Sequence, residues 1–190
     1  LRRLFVPQRP DWLFARQFLA HPRRVGAVVP ASRALVARLV AGIDWAGVET
    51  AVELGPGTGV VTRAMLARLP ATARLHVFEI NPAFAAHLAR HIGDPRLIIH
   101  TASAEHLGGR LGGQADAMIS GLPLAAMAPA LRQRILAAAA AALKPGAPLT
   151  GYQYSPLLMG ELAARFGHVG WRLEPRNWPP ALVFTARAPC

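Results

Sequence analysis

The chain has one cysteine, Cys190, and one lysine, Lys144. A single thiol allows neither an internal disulfide nor a thiolate-held metal cluster, and a reducing cytoplasm is the compartment that suits it. Acids are scarce, with ten Asp and Glu against 21 Lys and Arg, for a formal net charge of +11. Nearly all of that positive charge is arginine, whose planar fork matches phosphate oxygens two at a time, so the imbalance points to phosphate-bearing partners. Nucleic acids and phospholipid headgroups share that chemistry. No uncharged run reaches the ~20 apolar residues of a membrane-spanning helix without proline or glycine interrupting it. The first residues also lack the basic segment, apolar run and small-residue cleavage site of a secretory signal. The expectation is a cytoplasmic protein that does not cross a membrane.

Hydrophobic residues make up 53% of the chain and charged ones 16%, a balance that folds into a globule. At 190 residues there is length for one core and not for two comfortable ones. Charge is unevenly placed: residues 1–40 hold eight arginines and one acid, Asp11. Asp11 is a good cap for a helix over 12–20, which Pro22 ends. Ser32 caps a second helix to about residue 40, with Gly42 as its stop and a loop between the two. From residue 51, short apolar runs alternate with helical segments, the pattern of parallel strands joined by crossover helices. Strands are predicted at 51–54, 75–80, 97–100, 115–119, 149–154, 169–173 and 182–186, and helices at 60–69, 82–91, 129–143 and 157–166. The expected fold is α/β, a Rossmann-like sheet of seven strands with helices on both faces and an amphipathic helical arm ahead of it.

Between the first strand and the helix after it stands Glu53-Leu54-Gly55-Pro56-Gly57-Thr58-Gly59. Glycines at this junction allow positive backbone angles and bring bare main chain against a ligand. The spacing is G-x-G-x-G, unlike the G-x-G-x-x-G that cradles a dinucleotide pyrophosphate. Glu53 repels a pyrophosphate and can pair with an amino group, while Glu79, about 20 residues on at the end of the second apolar run, is placed to grip ribose hydroxyls. Ile80 follows it in the same crevice. The third strand leads into Ser103 and Ala104, beside the expected adenine, and the fourth ends in Ser120-Gly121-Leu122-Pro123-Leu124, where the substrate should approach. A nucleoside with a cationic amino-acid end and no pyrophosphate is S-adenosylmethionine, with S-adenosylhomocysteine as product. The candidate cofactor residues are therefore Glu53, Gly55, Gly57, Thr58, Gly59, Glu79, Ile80, Ser103, Ala104 and Ser120.

These motifs together resemble class I methyltransferases. The set E-L-G-P-G-T-G, F-E-I-N-P and S-G-L-P-L is most similar to small soluble bacterial phosphatidylethanolamine N-methyltransferases. So is the stretch Gly26-Ala27-Val28-Val29-Pro30-Ala31-Ser32-Arg33 ahead of the first strand. Ribosomal RNA adenine dimethyltransferases are related in pattern, but they have N-L-P-Y where this chain has S-G-L-P-L, with Ser120 and Leu124 in place of the amide and the aromatic that hold an extruded base. The resemblance implies stepwise methylation of phosphatidylethanolamine, through mono- and dimethyl forms, toward phosphatidylcholine. The alternatives are an RNA adenine methyltransferase and a cofactor-binding membrane or RNA module without turnover. On the lipid reading residues 1–42 form a basic arm that covers the cofactor and meets the membrane, and 43–190 the catalytic domain. Trp12, Phe14 and Phe18 would enter the headgroup boundary of an anionic leaflet, with Arg16, Arg23, Arg24 and Arg33 against lipid phosphates; the same helix pattern also serves packing on the domain. Attachment to the inner face of the cytoplasmic membrane would be reversible, with no stable nucleic-acid partner. Ser120, Gly121 and Tyr154 are the catalytic candidates, Tyr154 preferred over Tyr152 as nearer the strand end. His87 and His91 have a metal-compatible spacing without an accompanying acid motif, and no metal is expected.

Overall fold

The computed structural model describes residues 31–166 and 168–189. The strands are β1 (Thr50–Leu54), β2 (Arg74–Phe78), β3 (Leu97–His100), β4 (Ala117–Ser120), β5 (Pro148–Gln153), β6 (His168–Glu174) and β7 (Ala181–Arg187). The α-helices are α1 (Arg33–Ala41), α2 (Val60–Leu66), α3 (Pro82–His91), α4 (Gly108–Leu111), α5 (Pro129–Ala142) and α6 (Met159–Arg165). One seven-stranded sheet runs in the order β3-β2-β1-β4-β5-β7-β6. Its first five strands are parallel, and β7 lies antiparallel between β5 and β6. The α/β class and the seven strands expected from the apolar runs are as observed.

Alternation along β1 sets the two layers. Val52 and Leu54 face a core built with Ile135, Leu136 and Ala139 of α5 and Leu162 of α6. Ala51 faces the opposite core, made with Leu35 and Leu39 of α1, Val61 and Met65 of α2 and Leu88 of α3. The six consecutive alanines at the end of α5 supply Ala139 and Ala142 to the first core, where their small side chains let the helix lie close to the sheet. Ser32 caps α1, its Oγ accepting from Leu35 N at 3.1 Å. Asn81 caps α3 through Ala83 N at 2.9 Å, with Pro82 in the first turn.

Several boundaries differ from the sequence expectation. The helix predicted to residue 69 ends at Leu66, where Arg68 N turns back three residues to Met65 O ahead of Pro70. The second strand stops at Phe78, because its ladder with β3 ends at His100. Glu79 and Ile80 therefore belong to the loop at the sheet's edge, with Glu79 N still donating to His100 O at 3.0 Å. The last helix begins with a 3-10 turn, Pro156–Leu158, and is α-helical only from Met159. A 3-10 turn at Ala104–His106 and the short α4 had no counterpart in the predicted elements.

Helix α1 is part of the main core: Leu35, Leu39 and Val40 are fully buried in it, and Thr150 Oγ1 of β5 donates to Leu39 O at 3.2 Å. Residues 31–42 of the segment read as a separate arm thus pack with the sheet. The helix predicted over 12–20, with Trp12, Phe14, Arg16 and Phe18, and the loop residues Arg23 and Arg24 lie outside the described residues.

Candidate functional site

The chain leaves β1 toward α2 while β2 lies to one side and β4 to the other, so a crevice opens at the carboxyl ends of β1 and β4. Its floor is the loop 55–59. Gly55, Gly57 and Gly59 have φ of 70°, 54° and 83°, a region that side chains with a Cβ avoid. Gly59 ends the loop as the N-cap residue of α2. A Cβ on Gly57 would meet nothing within 4 Å, so the main chain there is bare toward the crevice. Thr58 is exposed at the tip of the loop.

Glu79 closes one side. Its carboxylate accepts from Gly57 N at 3.2 Å and from Asn81 N at 2.8 Å, tying the glycine loop to the start of α3. Each oxygen keeps a lone pair for a ligand hydroxyl. Burial pushes its pKa up, against the opposing backbone hydrogen bonds of Asn81 and Gly57. Ile80 next to it is exposed, an apolar wall at the crevice mouth.

Glu53 sits deeper. It is 2% exposed and its Oε2 accepts from the Thr62 hydroxyl of α2 at 2.6 Å. Burial raises its pKa to about 8, with the Thr62 bond opposing and the Glu79 charge adding to the rise. In this state the carboxyl is mostly protonated at neutral pH, rather than the open anion the sequence implied. A cation brought beside it would draw the proton off.

Beyond Glu79 on the same side, past the end of β3, Ser103 Oγ accepts from Glu105 N at 3.5 Å and starts the turn that buries Ala104. Ser120 ends β4, buried, with Leu122 N at 3.4 Å from its Oγ. Gly121 touches the glycine loop. Its N donates to Leu54 O at 2.8 Å, and a Cβ on it would lie 2.8 Å from Gly55 O. Counted back from Leu122 and Pro123, Gly121 and not Ser120 holds the place of the amide in N-L-P-Y, and a side chain there would press on Gly55 O. Leu124, at the aromatic's place, is buried in the core.

Two groups that fix this loop were missed by the sequence reading. Gln153, the last residue of β5, accepts from Ala125 N at 3.2 Å and donates to Leu122 O at 3.0 Å. Arg132 of α5 donates to Met127 O at 3.1 Å and pairs with both carboxylate oxygens of Glu161 at 2.9 and 2.5 Å. Asn177, also missed, ties other segments: its Oδ1 accepts from Ser32 N at 3.0 Å and its Nδ2 donates to Tyr154 OH at 3.4 Å. The Tyr154 hydroxyl is thereby engaged with the turn between β6 and β7. Tyr152 points to the Glu53 side of the sheet, half-buried, with its pKa raised to about 12 by burial and by the Tyr154 and Glu53 charges. Arg33 is exposed in the first turn of α1. The His87 and His91 rings stack at 4.2 Å, and His91 Nδ1 lies 2.8 Å from His87 O.

The residues present fit S-adenosylmethionine, with bare glycine backbone at the centre, an acid with lone pairs left for hydroxyls at one side and an acid that a cation would ionise at the other. Residues 51–146 match the family model described as a methyltransferase domain. The ornithine lipid N-methyltransferase of Singulisphaera acidiphila is 27% identical over 187 residues, covering 93% of this chain and 95% of its own length. The ribosomal RNA small subunit methyltransferase A of a Burkholderia species is 37% identical over 82 residues, covering 43% of this chain and 29% of its own. Among solved structures, Burkholderia thailandensis 1,6-didemethyltoxoflavin-N1-methyltransferase with bound S-adenosylhomocysteine superposes with a TM-score of 0.70 at 20% identity, over 98% of this chain and 94% of that one. The N-methyltransferase NodS of Bradyrhizobium japonicum, also with S-adenosylhomocysteine, gives 0.69 at 11% identity, over 91% of this chain and 98% of that one. The chain belongs to the methyltransferase-domain family, in the class I α/β fold, and its cofactor is S-adenosylmethionine.

Proposed function

We propose that this methyltransferase is an N-methyltransferase of aminolipids, which converts phosphatidylethanolamine through mono- and dimethyl forms toward phosphatidylcholine at an anionic membrane surface. The observation that carries the reading is the acceptor loop. At Gly121 a Cβ would press on Gly55 O at 2.8 Å, and Leu124 is turned into the core. The loop thus presents neither an amide for a base edge nor a ring for its face. A small aliphatic amine needs neither. The relative matched over almost its whole length is named as a lipid N-methyltransferase, whereas the RNA methyltransferase match covers less than a third of that protein.

S-adenosylmethionine supplies an electrophilic methyl group on its sulfonium. The chain's own task is to place a neutral amine in line with that methyl and to keep water out. Backbone carbonyls around Ser120 and Gly121 are the candidates to receive the amine's hydrogens, and desolvation there favours loss of the ammonium proton to solvent before transfer. Gln153 and Arg132 hold that loop still. Tyr154, at the same edge, meets the headgroup, as does Arg33. Among the described residues no helix is long and apolar enough to cross a membrane, and the lipid is reached by reversible attachment to the inner face of the cytoplasmic membrane.

Methyl-labelled S-adenosylmethionine is supplied with vesicles containing phosphatidylethanolamine, vesicles containing ornithine lipid, or bulk RNA. Label in extracted phosphatidylethanolamine and its mono- and dimethyl products is the expected result. Label in RNA alone overturns the assignment, label in ornithine lipid alone replaces the acceptor, and cofactor binding with no labelled product favours a module without turnover.

A further inference from the structure

Seven large apolar side chains are exposed among the described residues, and all seven lie at the carboxyl edge of the sheet. Val60 and Ile80 belong to the cofactor crevice. The other five do not. Tyr154, Leu157 and Met159 follow β5, Leu173 is near the end of β6, and Trp178 is in the turn from β6 to β7. Because β6 runs alongside β5, with β7 reversed between them, these loops emerge together beside the acceptor loop. Exposure is high: 79% for Trp178, 76% for Leu157 and 56% for Leu173. Apolar groups gathered on one side at such exposure mark a surface that meets something apolar.

Charge at the same edge is net positive, since the acids there, Glu161 and Glu174, are each paired with arginine. Glu174 is fully buried and is matched by two guanidinium groups, Arg38 at 2.8 Å and Arg176 at 3.0 Å, while Arg176 keeps 69% of its side chain exposed. Arg172 and Arg33 are exposed nearby without an acidic partner in the described structure. Ser32, where the arginine-rich residues 1–30 join the fold, is tied to Asn177 of this same turn.

We propose that the edge formed by Tyr154, Leu157, Met159, Leu173 and Trp178 docks on an anionic lipid bilayer, with Arg33, Arg172 and Arg176 against the headgroups. This rests on the aminolipid reading of the acceptor, and extends the contact expected of residues 1–42, to which Arg33 belongs, onto the sheet edge. Three of the five groups are aliphatic. They enter the acyl boundary but give a nucleic acid nothing to stack on, which favours lipid over RNA. Trp178 and Tyr154 carry the polar tip and apolar body suited to the headgroup level. Docking in this way turns the acceptor loop toward the lipid amines.

The test uses the full chain and co-sedimentation with vesicles of phosphatidylglycerol, which carries no amine and so reports docking apart from turnover. Wild type is expected to sediment with these vesicles and much less with pure phosphatidylcholine. Trp178→Ala with Leu157→Ala should weaken sedimentation roughly tenfold or more, Trp178→Phe should largely retain it, and Arg172→Ala should lessen its salt dependence. Methylation of a short-chain phosphatidylethanolamine kept as monomers should be unchanged in the double variant, which also shows that it folds. Docking is overturned by a wild type that ignores phosphatidylglycerol vesicles, by a double variant that binds them like wild type, or by loss of RNA binding in its place. If vesicles are bound through this edge but no lipid is methylated, the proposed reaction fails and the docking surface stands.

Discussion

Gly121→Ala tests whether the acceptor loop and the cofactor loop are in contact. The added Cβ would lie 2.8 Å from Gly55 O and 3.6 Å from Leu54 O, both backbone atoms. Neither can retreat freely, since Leu54 O holds Gly121 N at 2.8 Å and Gly55 N donates to Phe78 O at 2.9 Å. The overpacking should cost about 1–3 kcal/mol of stability, seen as a lower denaturant midpoint at unchanged slope. Displacing Gly55 also moves Gly57, so affinity for S-adenosylhomocysteine, measured by titration calorimetry, should fall about tenfold, equivalent to ~1.4 kcal/mol. Gly57→Ala is the companion variant. Its Cβ meets nothing within 4 Å but its φ is 54°, so it carries only the backbone penalty, about 1–2 kcal/mol. A Gly121→Ala protein with wild-type midpoint and affinity would refute the contact.

Glu53 has a folded pKa raised from 4.5 to about 8, so its contribution is fully present below pH 4.5 and is lost as pH climbs through 8. Each unit of that window costs about 1.4 kcal/mol. Glu53→Gln should flatten this part of the stability profile in denaturant titrations between pH 5 and 8. If the cofactor's ammonium ionises Glu53, binding at pH 7 releases a proton, read by calorimetry in buffers of different ionisation enthalpy and abolished by the same variant. Gln153→Leu should leave cofactor affinity unchanged and lower kcat/KM for the acceptor by about tenfold to a hundredfold, because two hydrogen bonds to the loop are lost. His76 Nδ1 and His100 Nε2 lie 3.0 Å apart, and burial, then the charge of His100 for His76 and of Arg110 for His100, lowers both pKa values. Stability should therefore fall as pH drops below 6.5, and His76→Phe should remove part of that loss in unfolding midpoints compared at pH 5 and 7.

The parallel core was legible because β1, β2 and β4 are buried on both faces and read as apolar runs, and because glycine and proline mark their ends. Glu79 was legible for the same reason: it is the first polar residue after the run Leu75 to Phe78, with only His76 interrupting. What escaped is set by long-range contacts. Gln153 reaches back to Leu122 and Asn177 back to Ser32, separations of 31 and 145 residues that no local pattern encodes. Tyr154, preferred over Tyr152 as nearer the strand end, lies one residue past β5, while Tyr152 is inside the strand on the Thr150 face. Ser32 correctly marked the start of α1. The burial of that helix was hidden by Arg33 and Arg38, which read as part of a basic arm, although Arg38 turns in to pair with the buried Glu174. The state of Glu53 was hidden too, because Thr62, nine residues on, becomes its partner only after the loop has turned.

The most direct measurement is the affinity of S-adenosylhomocysteine for wild type and Glu79→Ala by titration calorimetry, with the fold of each checked by its unfolding midpoint. Glu79 accepts from Gly57 N and Asn81 N and has lone pairs left for the ribose, and hydrogen bonds to a charged group are worth about 1.5–3 kcal/mol each. Saturable binding by wild type and a loss of at least about a hundredfold in the folded variant are the expected result. Equal affinities would contradict it, for the crevice between the ends of β1 and β4 would then not be where the cofactor lies.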